Sequence, residues 1–408
     1  MGGLESLSPA IRTIPDERLW AFRSAQRQRL LRYVRRRLAR QLREHGASPQ
    51  RSREAERVLD PNRLTLGFAR RFAEYKRPTL LLRDPRRLKR LLLDSRRPVQ
   101  LVVAGKAHPD DGPGHRLVQE MARFAADPSL RDRVVFLEDY DMMEAARFIT
   151  GIDVWLNTPQ RPFEACGTSG MKVLVNGGLN FSELDGWWAR AYRPDRGWAL
   201  GDEKLHEEPS WDAEEAGRLY EILEREIVVE FYERDAEGLP RRWLKRVRES
   251  MASLTPRFSS NRMLREYVAK AYLPAAAAFR ERAAQEGRLA REIEESFLRL
   301  RENWSRLRFG EMRAGRAGER WRFKVELYCE EIAPDLLAVE LYADGAPGAE
   351  PERVPMRRGE AVVGAVGGWC YEAEVPAKRP SRDYTPRVLP RHPAASIPIE
   401  NPLILWRS

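Results

Sequence analysis

Residues 153–172 read DVWLNTPQRPFEACGTSGMK, a short apolar strand followed by a glycine-rich loop and the first residues of a helix. Three earlier segments are equally rich in Val, Leu and Phe and alternate with helical segments: RLTLGFA at 63–69, PVQLVVAG at 98–105 and RVVFLED at 133–139. Apolar strands that alternate with helices indicate a parallel sheet covered on both faces. The sequence therefore predicts an α/β fold with a doubly wound parallel sheet, which binds ligands at the carboxyl ends of its strands.

The whole chain is predicted to form four parts. They are an N-terminal helical segment and linker at 1–61, the α/β domain at 62–255, a helical connector at 256–318 and a C-terminal β-sandwich-like domain at 319–408. The last part is predicted from segments of period two that begin near residue 320 and are separated by turns rich in glycine and proline. A chain of 408 residues is long enough to bury two or more cores.

Several local features are predicted within these parts. Residues 1–16 are expected to be irregular, 17–45 helical, and 46–61 a linker rich in charged and turn residues. The helix at 17–45 has apolar residues at helical spacing and arginines on its other face, so it is expected to dock on its own protein. Residues 179–201 are expected to form a loop and a strand with exposed aromatic side chains.

The formal net charge of +11 raises nucleic acid as a partner. Much of the excess lies at 17–44, where the sequence has no interleaved aromatic platform. We therefore expect no nucleic-acid partner, and we attribute other basic positions to the phosphates of an anionic substrate and cofactor. No apolar run is long enough to span a bilayer, and residues 1–15 lack the order of a signal peptide, so we expect no membrane partner and a cytoplasmic location.

The three cysteines are Cys166, Cys329 and Cys370. Their odd number and wide spacing predict reduced thiols, with neither a disulfide framework nor a metal cluster.

The loop at 163–172 has the composition of an anion site. Glu164 precedes a run of small residues, and Lys172 stands where a helix begins. Small residues allow the backbone to approach an anion closely, and helix N-termini favour negative charge, so the loop suits a phosphate. A lysine amine beside a bound phosphate is what a pyridoxal phosphate Schiff base requires. The alternative is a surface loop that caps a helix, with an ordinary solvated lysine.

Four segments, in order along the chain, resemble the alpha-glucan (glycogen, starch and maltodextrin) phosphorylase family. EACGTSGMKVLVN resembles the cofactor-lysine signature, GFARRFAEYKRP at 67–78 the phosphate-binding segment, VVAGKAHP at 102–109 a glycine-lysine-alanine strand end, and FLEDYDM at 136–142 the strand that brings a tyrosine to the cofactor. The C-terminal region resembles that of the short bacterial members. The resemblance implies a glycosyltransferase-B-type second domain and pyridoxal 5'-phosphate as cofactor.

The resemblance also implies roles for residues at matching positions. The catalytic set comprises Arg71, Lys76, Glu164, Gly167 and Lys172. The cofactor-binding set comprises Lys172, Thr168, Ser169, Arg70 and Tyr140. Tyr75 and Cys166 are implied to contact substrate. The chain departs from the family pattern at Arg70, which replaces a lysine, at Ala73, which replaces a histidine, and at Asp141, which replaces an arginine.

The activity implied by the resemblance is phosphorolysis of alpha-1,4-glucan by orthophosphate to glucose 1-phosphate. The match is to the C-terminal half of the family, so the first catalytic domain is expected to be missing, and the missing half of the site to come from a partner chain, from a split gene, or from nowhere. The open cleft face is expected to bind a partner chain or to form a homo-oligomer. One alternative is a nucleotide-sugar glucosyltransferase such as a glycogen synthase, whose loop lacks a counterpart of Lys172. Another is a non-catalytic glucan-binding or regulatory half-chain.

Overall fold

A six-stranded parallel sheet forms from the apolar segments in the first part of the chain. Its strands are β1 (Leu64–Ala69), β2 (Val99–Ala104), β3 (Val134–Leu137), β4 (Val154–Asn157), β5 (Leu179–Glu183) and β6 (Gly197–Leu200). They lie in the order β3-β2-β1-β4-β5-β6, so the winding direction reverses between β1 and β4. A reversal of this kind opens a crevice at the carboxyl ends of the two strands. The α/β fold with a doubly wound sheet is confirmed.

The computed structural model describes residues 4–202, 204–206, 208, 210–345 and 350–407, and these fall into two compact units, 1–265 and 266–408. The four-part division given above stays a prediction. In the part of the chain that the structure describes, no helix is both long and apolar enough to cross a membrane.

Helices cover both faces of the sheet because successive strand residues point to opposite sides. In β2, Leu101 and Val103 belong to one buried cluster, and Val102 and Ala104 belong to the other. The helices of this unit are α1 (Leu4–Arg12), α2 (Asp16–Glu44), α3 (Pro49–Ala55), α4 (Pro85–Leu93), α5 (Gly112–Ala125), α6 (Met142–Gly151), α7 (Thr168–Val175), α8 (Gly186–Ala191), α9 (Trp211–Ile222), α10 (Val228–Tyr232) and α11 (Arg241–Leu254).

The arginine-rich helix α2 docks on the sheet through two buried guanidinium groups. Arg23 and Arg27 are each 1% exposed, and both contact the carboxylate of Asp153, at 3.5 Å and 3.2 Å. Asp153 precedes β4 and also accepts a hydrogen bond from the backbone N–H of Thr65 at the start of β1. Burial lowers the pKa of Arg23 to about 10, although the charge of Asp153 opposes that shift. The cluster therefore joins α2 to the two central strands.

The second unit combines helices with two four-stranded antiparallel sheets around one apolar core. Helix α12 (Ser260–Tyr267) crosses the division between the units, and the remaining elements are α13 (Leu273–Asn303, interrupted at Ala284–Gly287), β7 (Arg308–Ala317), β8 (Arg320–Tyr328), β9 (Leu337–Ala343), β10 (Glu352–Pro355), β11 (Arg357–Ala361), β12 (Gly368–Pro376), β13 (Thr385–Pro390) and β14 (Leu405–Trp406). The two sheets have the strand orders β10-β9-β13-β14 and β11-β12-β8-β7.

Some local predictions were wrong. Residues 1–16, of which 1–3 lie outside the described residues, contain α1, and the linker at 46–61 contains α3. Strand β7 lies inside the segment predicted as a helical connector. Residues 179–201 form a strand, a helix and a second strand, and their tryptophans are buried rather than exposed; these are Trp187, Trp188 and Trp198. Tertiary packing covers these rings, and a local pattern does not show it.

Candidate functional site

A cavity of about 290 Å³ lies where β1 and β4 end, at the reversal point of the sheet. Arg70 directly follows β1, and Asn157 is the last residue of β4. The residues that line the cavity are Ala69, Arg70, Arg71, Lys76, Trp155, Asn157, Gly167 and Ser169. Five of the residues implied by the family resemblance are among them, although they come from segments about ninety residues apart. The sheet topology brings these segments together.

Glu164 lies between two cations at this cavity. Its Oε2 atom accepts from the Arg70 guanidinium and, at 3.1 Å, from the Lys76 ammonium. Arg70 also donates to the side-chain oxygen of Asn157. Burial raises the pKa of Glu164, but the charge of Arg70 and the hydrogen bond from Lys76 outweigh burial and hold that pKa below its ordinary value. Glu164 is therefore an ionised counter-ion at neutral pH.

A short 3₁₀ turn at Glu74–Lys76 carries Tyr75 and Lys76 to the cavity. The Lys76 ammonium lies 4.6 Å from the centre of the Tyr75 ring, and the hydrogen bond from Lys76 lowers the pKa of the Tyr75 hydroxyl. Arg71 contributes to the same shift and is itself exposed. The backbone carbonyl of Tyr75 accepts from the N–H of Gln160 at 2.5 Å. The turn is thus tied to the loop that leads to Glu164.

The loop before α7 is shaped by two glycines. Gly167 precedes the helix with a φ of 79°, in the left-handed region that glycine adopts without steric cost. Gly186 has a φ of 54°, and a Cβ atom there would lie 2.7 Å from the carbonyl oxygen of Cys166. Asp185 fixes the other end of the loop, because its Oδ2 accepts from the backbone N–H of Glu164 at 2.9 Å. Close packing of α8 against the loop requires a residue without a side chain at 186.

Helix α7 begins at Thr168, four residues earlier than the sequence predicted, so Lys172 lies in the last turn of α7, where it is exposed. Ser169, three residues earlier, lines the cavity, and residues three apart share one helix face. Among the described residues the Lys172 ammonium has no hydrogen-bond or ion-pair partner, and Asn176 bonds only to its backbone carbonyl. The amine is therefore available on the face of α7 that begins at the cavity.

Three further residues of the implied sets lie outside the cavity lining. Thr168, the first residue of α7, and Cys166, in the loop before it, are exposed. Tyr140 packs its ring against Phe148 of α6 at 5.9 Å, and burial raises the pKa of its hydroxyl. It follows the edge strand β3, two strands away from β1. The described contacts of Tyr140 thus join it to the helical layer.

Three lining residues of the cavity were not anticipated from the sequence: Ala69, Trp155 and Asn157. Asn157 bridges Arg70 and, through its Nδ2 atom at 2.9 Å, the Ser182 hydroxyl. Asn157 could have been recognised as a site residue, because it is the polar residue that directly follows the apolar run VWL. A polar group at a carboxyl strand end points into the ligand crevice.

Replacement of Glu164 by glutamine is expected to change how stability depends on pH. Because the folded pKa is depressed, ionised Glu164 stabilises the fold above its unfolded pKa of about 4.3, and this contribution is lost as pH falls through the folded pKa. Urea midpoints of Glu164→Gln should therefore fall less than those of wild type between about pH 5 and pH 3. Glu120→Gln, on the exposed surface of α5, is the control. Equal acid sensitivity of Glu164→Gln and wild type would contradict the ion-pair assignment.

The family model and the relatives found by comparison with known proteins indicate the same family. Residues 25–188 match the family model described as carbohydrate phosphorylase. Glycogen phosphorylase of Mycobacterium tuberculosis is 45% identical over 295 residues, which cover 72% of this chain and 34% of that protein. Glycogen phosphorylase of Aquifex aeolicus is 44% identical over 268 residues, 66% of this chain and 38% of that protein. Maltodextrin phosphorylase of Thermococcus litoralis is 33% identical over 413 residues, 99% of this chain and 48% of that protein.

The reversal-point cavity, its cations and these relatives define a phosphorylase-type α/β protein. The chain belongs to the alpha-glucan phosphorylase family. It spans between 34% and 48% of the length of these curated relatives.

Proposed function

We propose that this chain carries the orthophosphate-binding and cofactor-binding part of an alpha-glucan phosphorylase, a glycosyltransferase that converts alpha-1,4-glucan and orthophosphate to glucose 1-phosphate with retention of configuration. The observation that carries the proposal is the convergence of Arg70, Arg71, Lys76 and Glu164 at one cavity. Arg70 and Lys76 pair with Glu164, and Arg71 lines the same cavity, so these four side chains carry a net positive charge of two. That balance suits a phosphate dianion.

Arg71 and Lys76 differ in shape and therefore bind phosphate in different ways. Arg71 offers a planar fork that binds two phosphate oxygens at once, and Lys76 offers a point charge. The pairing of Arg70 with Glu164 and Asn157 holds the Arg70 fork in one orientation at the same cavity. In this proposal Glu164, with the backbone at Cys166 and Gly167, forms hydrogen bonds to the sugar hydroxyls and stabilises the developing charge. Tyr75 covers Lys76 and limits its contact with water.

Pyridoxal 5'-phosphate is the cofactor implied by the family, and the residues present fit it. Backbone N–H groups at the start of α7, the Ser169 side chain and nearby Arg70 offer donors to a phosphate, and the free Lys172 amine lies one turn further along the helix. When bound, the cofactor supplies a second phosphate that exchanges a proton with orthophosphate. Lys172 serves as its covalent tether. Thr168 and Tyr140 complete the proposed cofactor set.

The reaction itself tests the proposal. We expect the 408-residue chain alone to release little glucose 1-phosphate from maltoheptaose or glycogen, because glucosyl transfer needs a glucosyl unit held in a closed, water-excluding cleft. Addition of a chain that carries the preceding half of a glucan phosphorylase is expected to restore turnover. Turnover by the isolated chain would contradict the need for a second half. If the mixture releases no glucose 1-phosphate although both chains are folded and the cofactor is bound, the catalytic proposal is contradicted and a non-catalytic role is favoured.

Orthophosphate binding is expected to depend on Arg71 and Lys76. Removal of a charged partner from a desolvated contact costs about 2–4 kcal/mol, so Lys76→Ala, at a buried position, should weaken inorganic phosphate binding by an amount in this range. Arg71→Ala, at an exposed position, should weaken binding by less. Arg71→Lys should also weaken binding, because the planar fork is lost. Isothermal titration calorimetry measures the affinities, with Arg116→Ala on exposed α5 as the control. Unchanged affinity in Lys76→Ala would contradict its role as a phosphate ligand.

A further inference from the structure

We propose that Arg77 is a positioning residue that holds Lys76 at the phosphate cavity, an inference that rests on the proposed phosphate-binding role of Lys76. The two residues are adjacent in the chain but point in opposite directions. The Lys76 ammonium reaches Glu164 at the cavity, whereas the Arg77 guanidinium enters the protein interior. Arg77 is 8% exposed and does not line the cavity.

The Arg77 guanidinium joins three separate parts of the fold. Its Nε donates to the carbonyl of Thr158 at 3.0 Å, and its Nη2 donates to the carbonyl of Pro159 at 2.9 Å. The remaining acceptors are carboxylates: Glu183 at the end of β5 at 3.2 Å, Asp212 of α9 at 2.9 Å, and Glu215 of α9. A planar fork with five donors can satisfy this set at once, and an ammonium cannot.

The backbone on either side of Arg77 is held by the same loop. The Thr158 hydroxyl donates to the carbonyls of Lys76 and Arg77, at 3.3 Å and 3.1 Å, and is itself buried. Arg77 has a φ of 42°, a left-handed conformation that is unfavourable for a residue with a side chain. Such a conformation persists only where surrounding contacts determine it. The hydrogen bonds of Arg77 and Thr158 are the contacts that hold Arg77 in this left-handed conformation.

The acidic partners of Arg77 are arranged to keep the guanidinium in place. Burial and the adjacent Glu215 raise the pKa of Glu183, and Arg77 only partly opposes that rise. The raised pKa favours the protonated form of Glu183, while Asp212 also pairs with Arg83 at 3.0 Å. Protonation of Glu183 reduces the negative charge beside Arg77, so a single guanidinium can be buried among these carboxyl groups.

The consequence for the site follows from the shared loop. Residues 158–160 accept from Arg77 and donate to the backbone of residues 75–77, and the same loop continues to Glu164. Arg77 thus fixes the distance between the segment that carries Lys76 and the segment that carries Glu164. Loss of its contacts frees the turn at 74–76 and displaces the Lys76 ammonium, without removal of any group from the cavity.

Two variants and a matched control test the proposal. Arg77→Gln removes the fork, and Thr158→Val removes only the hydroxyl that binds the carbonyls of Lys76 and Arg77. Thr65→Val is the control, because it also removes a buried hydroxyl with two hydrogen bonds, but at the opposite end of β1. Thr158→Val keeps the test valid if Arg77→Gln does not fold.

Each variant is measured in two ways. Calorimetry with inorganic phosphate is expected to show at least five-fold weaker binding in Thr158→Val and Arg77→Gln, and no change in Thr65→Val. Acetylation of Lys76, followed by mass spectrometry without phosphate, is expected to be at least three-fold faster in the first two variants only. The positioning role is overturned if both variants label Lys76 like wild type, or if Thr65→Val has the same effect. If wild type does not bind phosphate, the phosphate-binding role of Lys76 fails, whereas the labelling result still decides whether Arg77 positions it.

Discussion

Lys172→Ala is expected to abolish covalent uptake of pyridoxal 5'-phosphate. The reason is the position of the amine: it lies on the same face of α7 as Ser169 at the cavity, and it has no described partner that would compete for it. Reconstituted wild type should show the near-ultraviolet absorbance of a lysine-linked cofactor, which borohydride reduction should fix to the peptide that contains residue 172. The variant should show neither signal.

Lys245→Ala, at an exposed position on α11, provides the matched control and should bind the cofactor like wild type. The assignment of Lys172 fails if its alanine variant retains covalent cofactor, or if reduction marks another lysine. Phosphate affinity of the variant should stay close to wild type, because Arg71 and Lys76 are unchanged. That second measurement separates loss of the tether from general loss of the site.

Asp153→Asn is expected to produce the largest loss of stability in the α/β unit. Asp153 is 2% exposed and is the carboxylate partner of both Arg23 and Arg27, which are 1% exposed. Its neutralisation leaves two buried guanidinium groups without a counter-ion, and removal of one partner from a buried ion pair costs about 3–5 kcal/mol. Urea unfolding followed by tryptophan fluorescence measures the change.

Glu44→Gln is the control for this prediction, because Glu44 forms an exposed pair with Arg40 at 2.8 Å at the other end of the same helix. Its urea midpoint should match that of wild type, since exposed pairs contribute little. An Asp153→Asn midpoint equal to that of wild type would mean that the carbonyl partners of Arg23, such as Ile152 at 2.6 Å, suffice to hold α2.

The sheet could be predicted where the strands are continuous apolar runs. Strands β1 to β4 lie within the segments predicted for them, because side chains buried on both faces leave an unbroken signal in the sequence. The region of β5, α8 and β6 was missed in part. There Trp187 and Trp188 resemble exposed residues in a turn-rich segment, and only packing against Phe258 and the neighbouring layer buries them.

The sequence named residues that lie at the cavity, but it did not give their contacts. The family resemblance implied Arg70, Lys76 and Glu164, and the carboxyl ends of the strands indicated where they would meet. The pairing of Glu164 with both cations could not be predicted, because it depends on the distance between β1 and β4 and on the direction of each side chain. The burial of Arg77 beside Lys76 was also hidden, since consecutive basic residues look alike in sequence.

The buried cluster of Arg23, Arg27 and Asp153 also has a consequence for the order of folding. Its partners are 126 and 130 residues apart in the chain, and the intervening segment contains β1, β2 and β3. Closure of so long a loop is entropically unfavourable until other contacts have shortened it. We therefore expect α2 to form early as a helix but to dock late, after β1 and β4 have paired. Before the sheet assembles, the Arg23 and Arg27 guanidinium groups stay in water. Docking of α2 therefore occurs only after the central strands have paired in the correct register.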